Sequence, residues 1–268
     1  MLKDITLGQY FPGDTAAHKL DPRTKILLVM FYIIALFSAK GVLTYGIMIL
    51  CLLLCVRISQ VKIKAMIRGL KPVMAILIFT AVLNLFFTPG EKILWEFGFL
   101  KISDIGIQTA VFMVLRILLL IMGTFLMTYT TSPIALTDGL ENLLNFLKKI
   151  HAPVHEMAMM MSIALRFIPT LIEETDKIMS AQKARGADME SGNIMQRAKA
   201  MIPILVPLFI SAFRRADELA TAMECRCYHG GEGRTKLHIL KYARRDYTAL
   251  TLGICVCVGV FILGRLNL

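Results

Sequence analysis

The chain has 268 residues, 56% of them hydrophobic and only 18% charged. Soluble domains average about 45–50% apolar and about 25% charged residues, so the composition excludes a disordered chain and argues against an ordinary soluble enzyme. Yet 30 Lys+Arg against 19 Asp+Glu leave a formal net charge of +11, too much for a plain apolar bundle.

The first 25 residues, MLKDITLGQYFPGDTAAHKLDPRTK, are polar and contain no early apolar run of the signal-peptide kind. A helix that crosses a bilayer needs about 20 mostly apolar residues. From Ile26 to Val56, Lys40, followed by Gly41, divides the apolar sequence into runs of 14 and 16 residues, which predicts a hairpin of two short or tilted spans. Between Lys71 and Glu91 lie 19 uncharged residues; from Ile105 to Met127 runs a 23-residue apolar stretch broken only by Arg116; Tyr247 to Gly264 is uncharged for 18. The expectation is an all-α membrane protein with about five transmembrane helices, within a range of four to six. Cys51, Cys55, Cys255 and Cys257 lie inside these apolar runs and read as small hydrophobes rather than as a disulfide framework. Arg116 is costly inside a span and must face protein or water; a structural partner, snorkelling and a transport role are its three readings.

The cations set the expected topology. The N-terminal arm carries four (Lys3, Lys19, Arg23, Lys25), the segment from Arg57 to Lys71 five, and the stretch from Ser132 to Asp246 sixteen. Long domains carry little topological weight, but the two short segments follow the positive-inside pattern. The reading is a membrane domain over residues 1–131 with a cytoplasmic N-terminal arm, a cytoplasmic domain over 132–242, and a final transmembrane helix over 243–268. These basic borders of apolar spans fit a lipid bilayer better than nucleic acid.

Inside the 132–242 stretch, the apolar runs Met157–Leu165 and Met201–Phe213, of nine and thirteen residues, are too short to span. They suit amphipathic helices that lie along the membrane or pack on one another. Three long ones are expected. The first opens at Thr131-Ser132-Pro133, an N-cap followed by Pro, with Leu136, Leu140, Leu143, Leu144 and Leu147 at helical spacing. The second runs from near Pro153 past Pro169 to Arg185. The third runs from about Gln196 to Arg226.

The second and third helices end on the same pattern. Aligned on Asp176 and Asp217, an arginine follows nine residues later in each, Arg185 and Arg226. Ser180 matches Thr221, Ala181 matches Ala222, and Ala184-Arg185-Gly186 matches Cys225-Arg226-Cys227. A cation near a helix C-terminus complements the helix dipole, which is the plain reading of each arginine. The repetition points further, to two guanidinium forks offered to two similar carboxylate-bearing sockets. Gly186 is suited to the left-handed conformation that stops a helix.

The motifs together resemble the transmembrane T component (EcfT) of energy-coupling factor transporters over nearly the whole chain. The resemblance rests on GQYFPGDTAAHKLDPRTK, IRGLKP (Ile67–Pro72), NLFFTPG (Asn84–Gly90), TSPIALTDGLE (Thr131–Glu141), LRFIPTLIEE (Leu165–Glu174) and the two arginine motifs. The first motif stands intact as Ala184-Arg185-Gly186. The second keeps Arg226 but is flanked by Cys225 and Cys227, and Gly230-Gly231 is the next candidate helix break. The resemblance implies a non-enzymatic scaffold of an ABC-type importer. Two ATPase subunits would bind the arginine-tipped helices, and one or several interchangeable membrane-embedded substrate-binding subunits would pack on the coupling helices for uptake of vitamins or other micronutrients. A T component dedicated to cobalt or nickel is the alternative, with a self-contained permease behind it. In keeping with this, the chain has no GxxxxGK[ST] loop, and GGEGRT (Gly230–Thr235) lacks both its spacing and its lysine.

Met157, Met159, Met160 and Met161 cluster tightly; with Met179 and Met201 they read either as ordinary helix packing or as an adaptable surface for the substrate-binding subunits. No metal or cofactor site is expected. His151 and His155 straddle Pro153, and the Cys225, Cys227, His229 cluster lacks the C-x₂₋₄-C spacing of structural zinc sites.

Overall fold

The computed structural model describes residues 10–88, 93–97, 100–150, 153–187, 193–231 and 239–265. His151, the Gly8-Gln9 opening, Pro89-Gly90 and most of GGEGRT lie outside the described residues. The described chain is an all-α membrane protein with eight α-helices: α1 (Pro22–Ser38), α2 (Val42–Ser59), α3 (Ile63–Phe87), α4 (Asp104–Thr130), α5 (Pro133–Leu143), α6 (Val154–Ala184), α7 (Ile194–Cys225) and α8 (Arg244–Arg265). Two further elements interrupt the series. A two-stranded antiparallel hairpin, β1 (Ile93–Phe97) and β2 (Leu100–Ser103), joins α3 to α4, and a 3-10 helix spans Leu144–Ile150. The chain divides into two compact units, one built from residues 8–142 and 240–268, the other from 143–239.

Five described helices are long and apolar enough to cross a membrane: α2, α3, α4, α7 and α8. The expected set differs by one member. It contained α1, which at 17 residues is short, and not α7, which qualifies because it stays helical for 32 residues through Pro203 and Pro207. Pro72 likewise lies inside α3 rather than at its start. A proline removes one backbone hydrogen bond, a cost that a long helix absorbs when its neighbouring turns are held by packing.

In the first unit, sequence signals place the helix ends. Asp21 caps α1, its carboxylate accepting from Arg23 N at 2.9 Å, with Pro22 at the first helical position. Ser103 caps α4 by accepting from Gly106 N at 2.9 Å while its hydroxyl donates to Thr88 O at 3.0 Å, which closes the α3–α4 connection. The hairpin pairs Phe97 with Leu100, Glu96 with Lys101 and Trp95 with Ile102, then shifts by a bulge before Ile93 pairs with Ser103.

Three side chains of this unit fix the register of α1 against α4. Lys25 is buried and its ammonium donates to Thr130 O at 2.8 Å, satisfying a carbonyl left free at the end of α4. Tyr32 Oη donates to Leu119 O at 3.0 Å. Near the other end, Arg116 Nε donates to Tyr45 Oη at 3.0 Å and its Nη2 to Ala39 O at 3.2 Å. Of the three readings of Arg116, the structural partner is the one found. The helices α1 and α4 therefore run antiparallel, while α8 runs parallel to α1, from Asp246 beside Asp21 to Gly264 beside Ser38. Close approach needs small residues: a Cβ on Gly264 would stand 2.5 Å from Ser38 O, and one on Gly123 would stand 2.5 Å from the Tyr32 ring. Leu36, Met48, Met66, Leu119, Tyr129 and Val260 form the centre of the core.

The first of the three expected amphipathic helices is short. α5 covers 11 residues before the chain tightens into the 3-10 helix. α5 groups with the first unit, where Gly139 lets it meet Pro22 closely. The other two are long, 31 residues in α6 and 32 in α7, and they pack against each other in the second unit.

Candidate functional site: two arginine-tipped helices

The α6–α7 pair is fixed at two levels. Glu174 Oε2 accepts from Arg215 Nη2 at 2.9 Å, and its Oε1 accepts from Ser211 Oγ at 2.9 Å. Gln182 Nε2 donates to Pro203 O at 3.4 Å. Residue numbers rise along α6 as they fall along α7, so the helices are antiparallel and their C-terminal tips point away from each other. Pro203 receives that bond because Pro207, four residues on, has no N–H to occupy its carbonyl.

Both tips end in the same hydrogen-bond pattern. In α6, Gly186 N donates to Lys183 O at 3.0 Å and Ala187 N to Gln182 O at 3.0 Å, with Gly186 at φ +84. In α7, Cys227 N donates to Glu224 O at 2.8 Å and Tyr228 N to Met223 O at 3.1 Å, with Cys227 at φ +54. Each is a Schellman cap, with its paired 6→1 and 5→2 bonds closing on a left-handed residue. The structure thereby corrects one expectation: α7 ends on Cys227, at the position equivalent to Gly186, and not at Gly230-Gly231. A non-glycine residue in the left-handed region is uncommon, so nothing in Cys-Arg-Cys signalled it.

Arg185 and Arg226 are the C-cap residues, and both are exposed. Ala184, Gly186, Cys225 and Cys227 around them are exposed as well. The two arginines are not brought together. Arg226 lies 23 residues beyond Pro203, whereas Arg185 lies three beyond Gln182. The helices are antiparallel, so these offsets add, and at a rise of about 1.5 Å per residue the tips stand on the order of 40 Å apart, which separates them into two sites. Beside the α7 tip, His229 Nδ1 lies 2.8 Å from Cys227 O.

The methionines divide. Met157, Met160, Met161 and Met201 are exposed, whereas Met159 and Met179 are half-buried. The larger apolar surface was not singled out from the sequence. On α7, Leu205, Val206, Phe209, Ile210 and Phe213 are all exposed beside Met201. Also missed was the Glu174–Arg215 pair, although opposite charges at equivalent positions of the repeat were its available signal.

A family model described as CbiQ, cobalt transport protein, matches residues 13–237. The chain is 56% identical over 246 residues to the energy-coupling factor transporter transmembrane protein EcfT of Acidaminococcus fermentans, covering 92% of this chain and 91% of that protein. To the protein of the same name in Clostridium kluyveri it is 54% identical over 262 residues, 97% of each chain. To that of Bacillus subtilis it is 46% identical over 263 residues, 98% of this chain and 99% of the other. A multi-pass helical chain whose likeness runs nearly end to end belongs to the CbiQ family, among the energy-coupling factor transporter transmembrane proteins (EcfT).

Proposed function

We infer that the chain is the coupling scaffold of an energy-coupling factor importer, with no active site of its own. Two ATPase subunits dock on the tips of α6 and α7, one on Arg185 and one on Arg226. A membrane-embedded substrate-binding subunit packs on the exposed apolar sides of the same helices, including the methionine surface. The observation that carries this reading is the pair of matching Schellman caps, each projecting an exposed arginine from the end of a long helix. Because α6 and α7 are antiparallel, a closing movement of two ATPases would be felt at both ends of one rigid pair.

In this reading the N-terminus and residues 132–242 are cytoplasmic, and residues 1–131 and 243–268 form the membrane domain. Helix α7 lies at the membrane surface rather than across it. Arg197, Lys199, Arg214, Arg215, Asp217 and Glu218 bound its apolar stretch to a length that does not reach across a bilayer.

The test is co-purification of the full chain with its ATPases. Arg185→Glu with Arg226→Glu is expected to abolish capture of both ATPase chains while the protein still inserts and purifies. Retention of both ATPases by that variant sinks the reading. For the second surface, Met159, Met160 and Met161 changed together to Leu should weaken capture of some substrate-binding subunits more than others; unchanged capture of several different ones removes the methionines from that interface.

A second reading is a component dedicated to cobalt or nickel, favoured by the description of the matching family model as a cobalt transport protein. The names of the relatives at 46–56% identity carry no metal. The small membrane proteins that co-purify with this chain decide between the two. A self-contained permease is disfavoured because Arg116 is engaged by Tyr45 and Ala39 O.

A further inference from the structure

Lys40, Arg116 and Arg265 are far apart in sequence, but the fold carries them to one level of the membrane unit. Arg116 holds Ala39 O, the carbonyl next to Lys40, and Gly264, next to Arg265, packs against Ser38. A Cβ on Gly264 would stand 4.0 Å from Lys40 N. Lys40 and Arg265 are exposed. None of the three makes an ion pair among the described residues. Arg116 commits one N–H to Tyr45 and one to Ala39 O, leaving part of its five-donor fork unused.

Two helix C-termini, those of α1 and α8, end at this level and one N-terminus, that of α2, begins there, so the helix dipoles sum to about half a negative charge. That offsets less than one of the three positive charges. The others need a counter-charge, because an arginine at membrane depth without an acidic partner is costly.

The lengths of the helices indicate where the counter-charge comes from. Measured from the shared level of Lys25 and Thr130, α1 stops beside Arg116, whereas α4 continues twelve residues further to Asp104. At about 1.5 Å per residue, the tips of α1, α2 and α8 therefore stop roughly 18 Å short of the start of α4. A bilayer meets such a short edge by thinning locally, which draws headgroups down to it. We propose that Lys40, Arg116 and Arg265 clamp the phosphate of an anionic phospholipid at the recessed end of α1, α2 and α8. Its acyl chains lie along the exposed apolar side chains Ile34, Phe37, Leu50 and Phe261. The cytoplasmic placement of the N-terminus proposed above serves only to name the leaflet, which is then the outer one.

The experiment is native mass spectrometry of the full chain in micelles holding equal amounts of phosphatidylglycerol and phosphatidylcholine. A large excess of neutral detergent dilutes the anionic lipid, so a lipid is retained only where a built site holds it. The wild-type chain is expected to retain phosphatidylglycerol in preference. Lys40→Gln and Arg265→Gln, both at exposed positions, should each lower the ratio about tenfold, the low end of what one hydrogen bond between charged groups contributes. Lys62→Gln with Lys64→Gln, exposed and at the opposite end of the unit, should leave it unchanged. An unchanged ratio in both single variants, or an equal fall in the Lys62/Lys64 control, overturns the proposal and leaves the three cations as partners of helix ends only.

Discussion

Glu174 and Arg215 occupy equivalent positions of the two repeats, two residues before Asp176 and Asp217, and they are each other's ion-pair partner at 2.9 Å. That pairing is what a local two-fold between antiparallel helices requires, since equivalent positions face each other only near the axis. It also sets the arms: Arg185 lies eleven residues beyond Glu174, and Arg226 eleven beyond Arg215. The repeat in the sequence is thus a symmetric pair of levers about one charged pivot.

The pivot is testable by reversal. Its two side chains are 34% and 29% exposed, so the pair is worth on the order of 1 kcal/mol rather than the figure for a buried one. Arg215→Glu sets two carboxylates against each other and should lower the melting temperature of the purified chain. Adding Glu174→Arg restores the attraction and should recover most of the loss. If the double variant melts no higher than the single one, the two residues do not act as a pair.

The matching caps make opposite predictions for matched substitutions. A left-handed residue with a side chain costs about 1–2 kcal/mol, partly offset by the greater unfolded-state entropy of glycine. Cys227→Gly should therefore stabilise the end of α7 by about 0.5–1 kcal/mol. Gly186→Ala should destabilise the end of α6 by about 1 kcal/mol from backbone strain alone, since a Cβ there meets nothing within 4 Å. Thermal denaturation of the two variants beside wild type checks the signs. Equal signs would mean that the two ends are not the same cap.

What was legible in the sequence follows the strength of each signal. Apolar runs and their bordering charges located α3, α4 and α8, and Lys40-Gly41 located the α1–α2 turn, because burial in lipid leaves a long compositional mark. The ends of α6 and α7 fell within two residues of the expected Pro153–Arg185 and Gln196–Arg226. The cap at Cys227 was not legible, since glycine is the usual mark of that conformation. Helix α5 ended early although its leucines keep helical spacing past residue 144, because periodicity does not distinguish an α-helix from a tighter one over so few residues. The buried role of Lys25 was hidden by its place in a basic arm, where topology was explanation enough.

The N-terminal arm is joined to α8 through one carboxylate. Asp246 is 1% exposed, and it accepts from Asp21 N at 2.8 Å and from Ala243 N at 2.7 Å. Asp246→Ala leaves two N–H groups without acceptors and should cost about 2–4 kcal/mol, whereas Asp21→Ala, which loses a helix cap, should cost about 1 kcal/mol. Burial pushes the Asp21 carboxyl up, but hydrogen bonds from the side chain and backbone of Arg23, with its charge, outweigh that and hold it below its ordinary 3.8. Stability from a lowered carboxyl is fully present above the unfolded value and is lost as pH falls through the folded one. Melting temperatures of wild type and Asp21→Asn should therefore keep a constant gap from pH 5 to 8 and converge only below about pH 4. A gap that closes between pH 5 and 8 excludes this origin.

Cys225 and Cys227 flank Arg226 and report directly on whether that tip is covered. Both are exposed, while Cys51, Cys55, Cys255 and Cys257 lie within α2 and α8, where a charged reagent dissolved in water does not reach thiols surrounded by lipid. A charged maleimide added to inside-out vesicles should modify the α7 tip and leave the other four untouched, provided the tip is cytoplasmic. The proposed docking of an ATPase on Arg226 would bury the same surface, so labelling should slow when both ATPases are co-expressed. Arg226→Glu removes the guanidinium without removing either sulfur, and labelling should then be as fast with the ATPases as without them. Arg185→Glu acts at the other tip and should leave protection of Cys225 and Cys227 in place, which separates two independent sockets from one shared contact. Rapid labelling in the wild-type complex would show that the α7 tip is open when the ATPases are bound, and would remove Arg226 from the coupling contact.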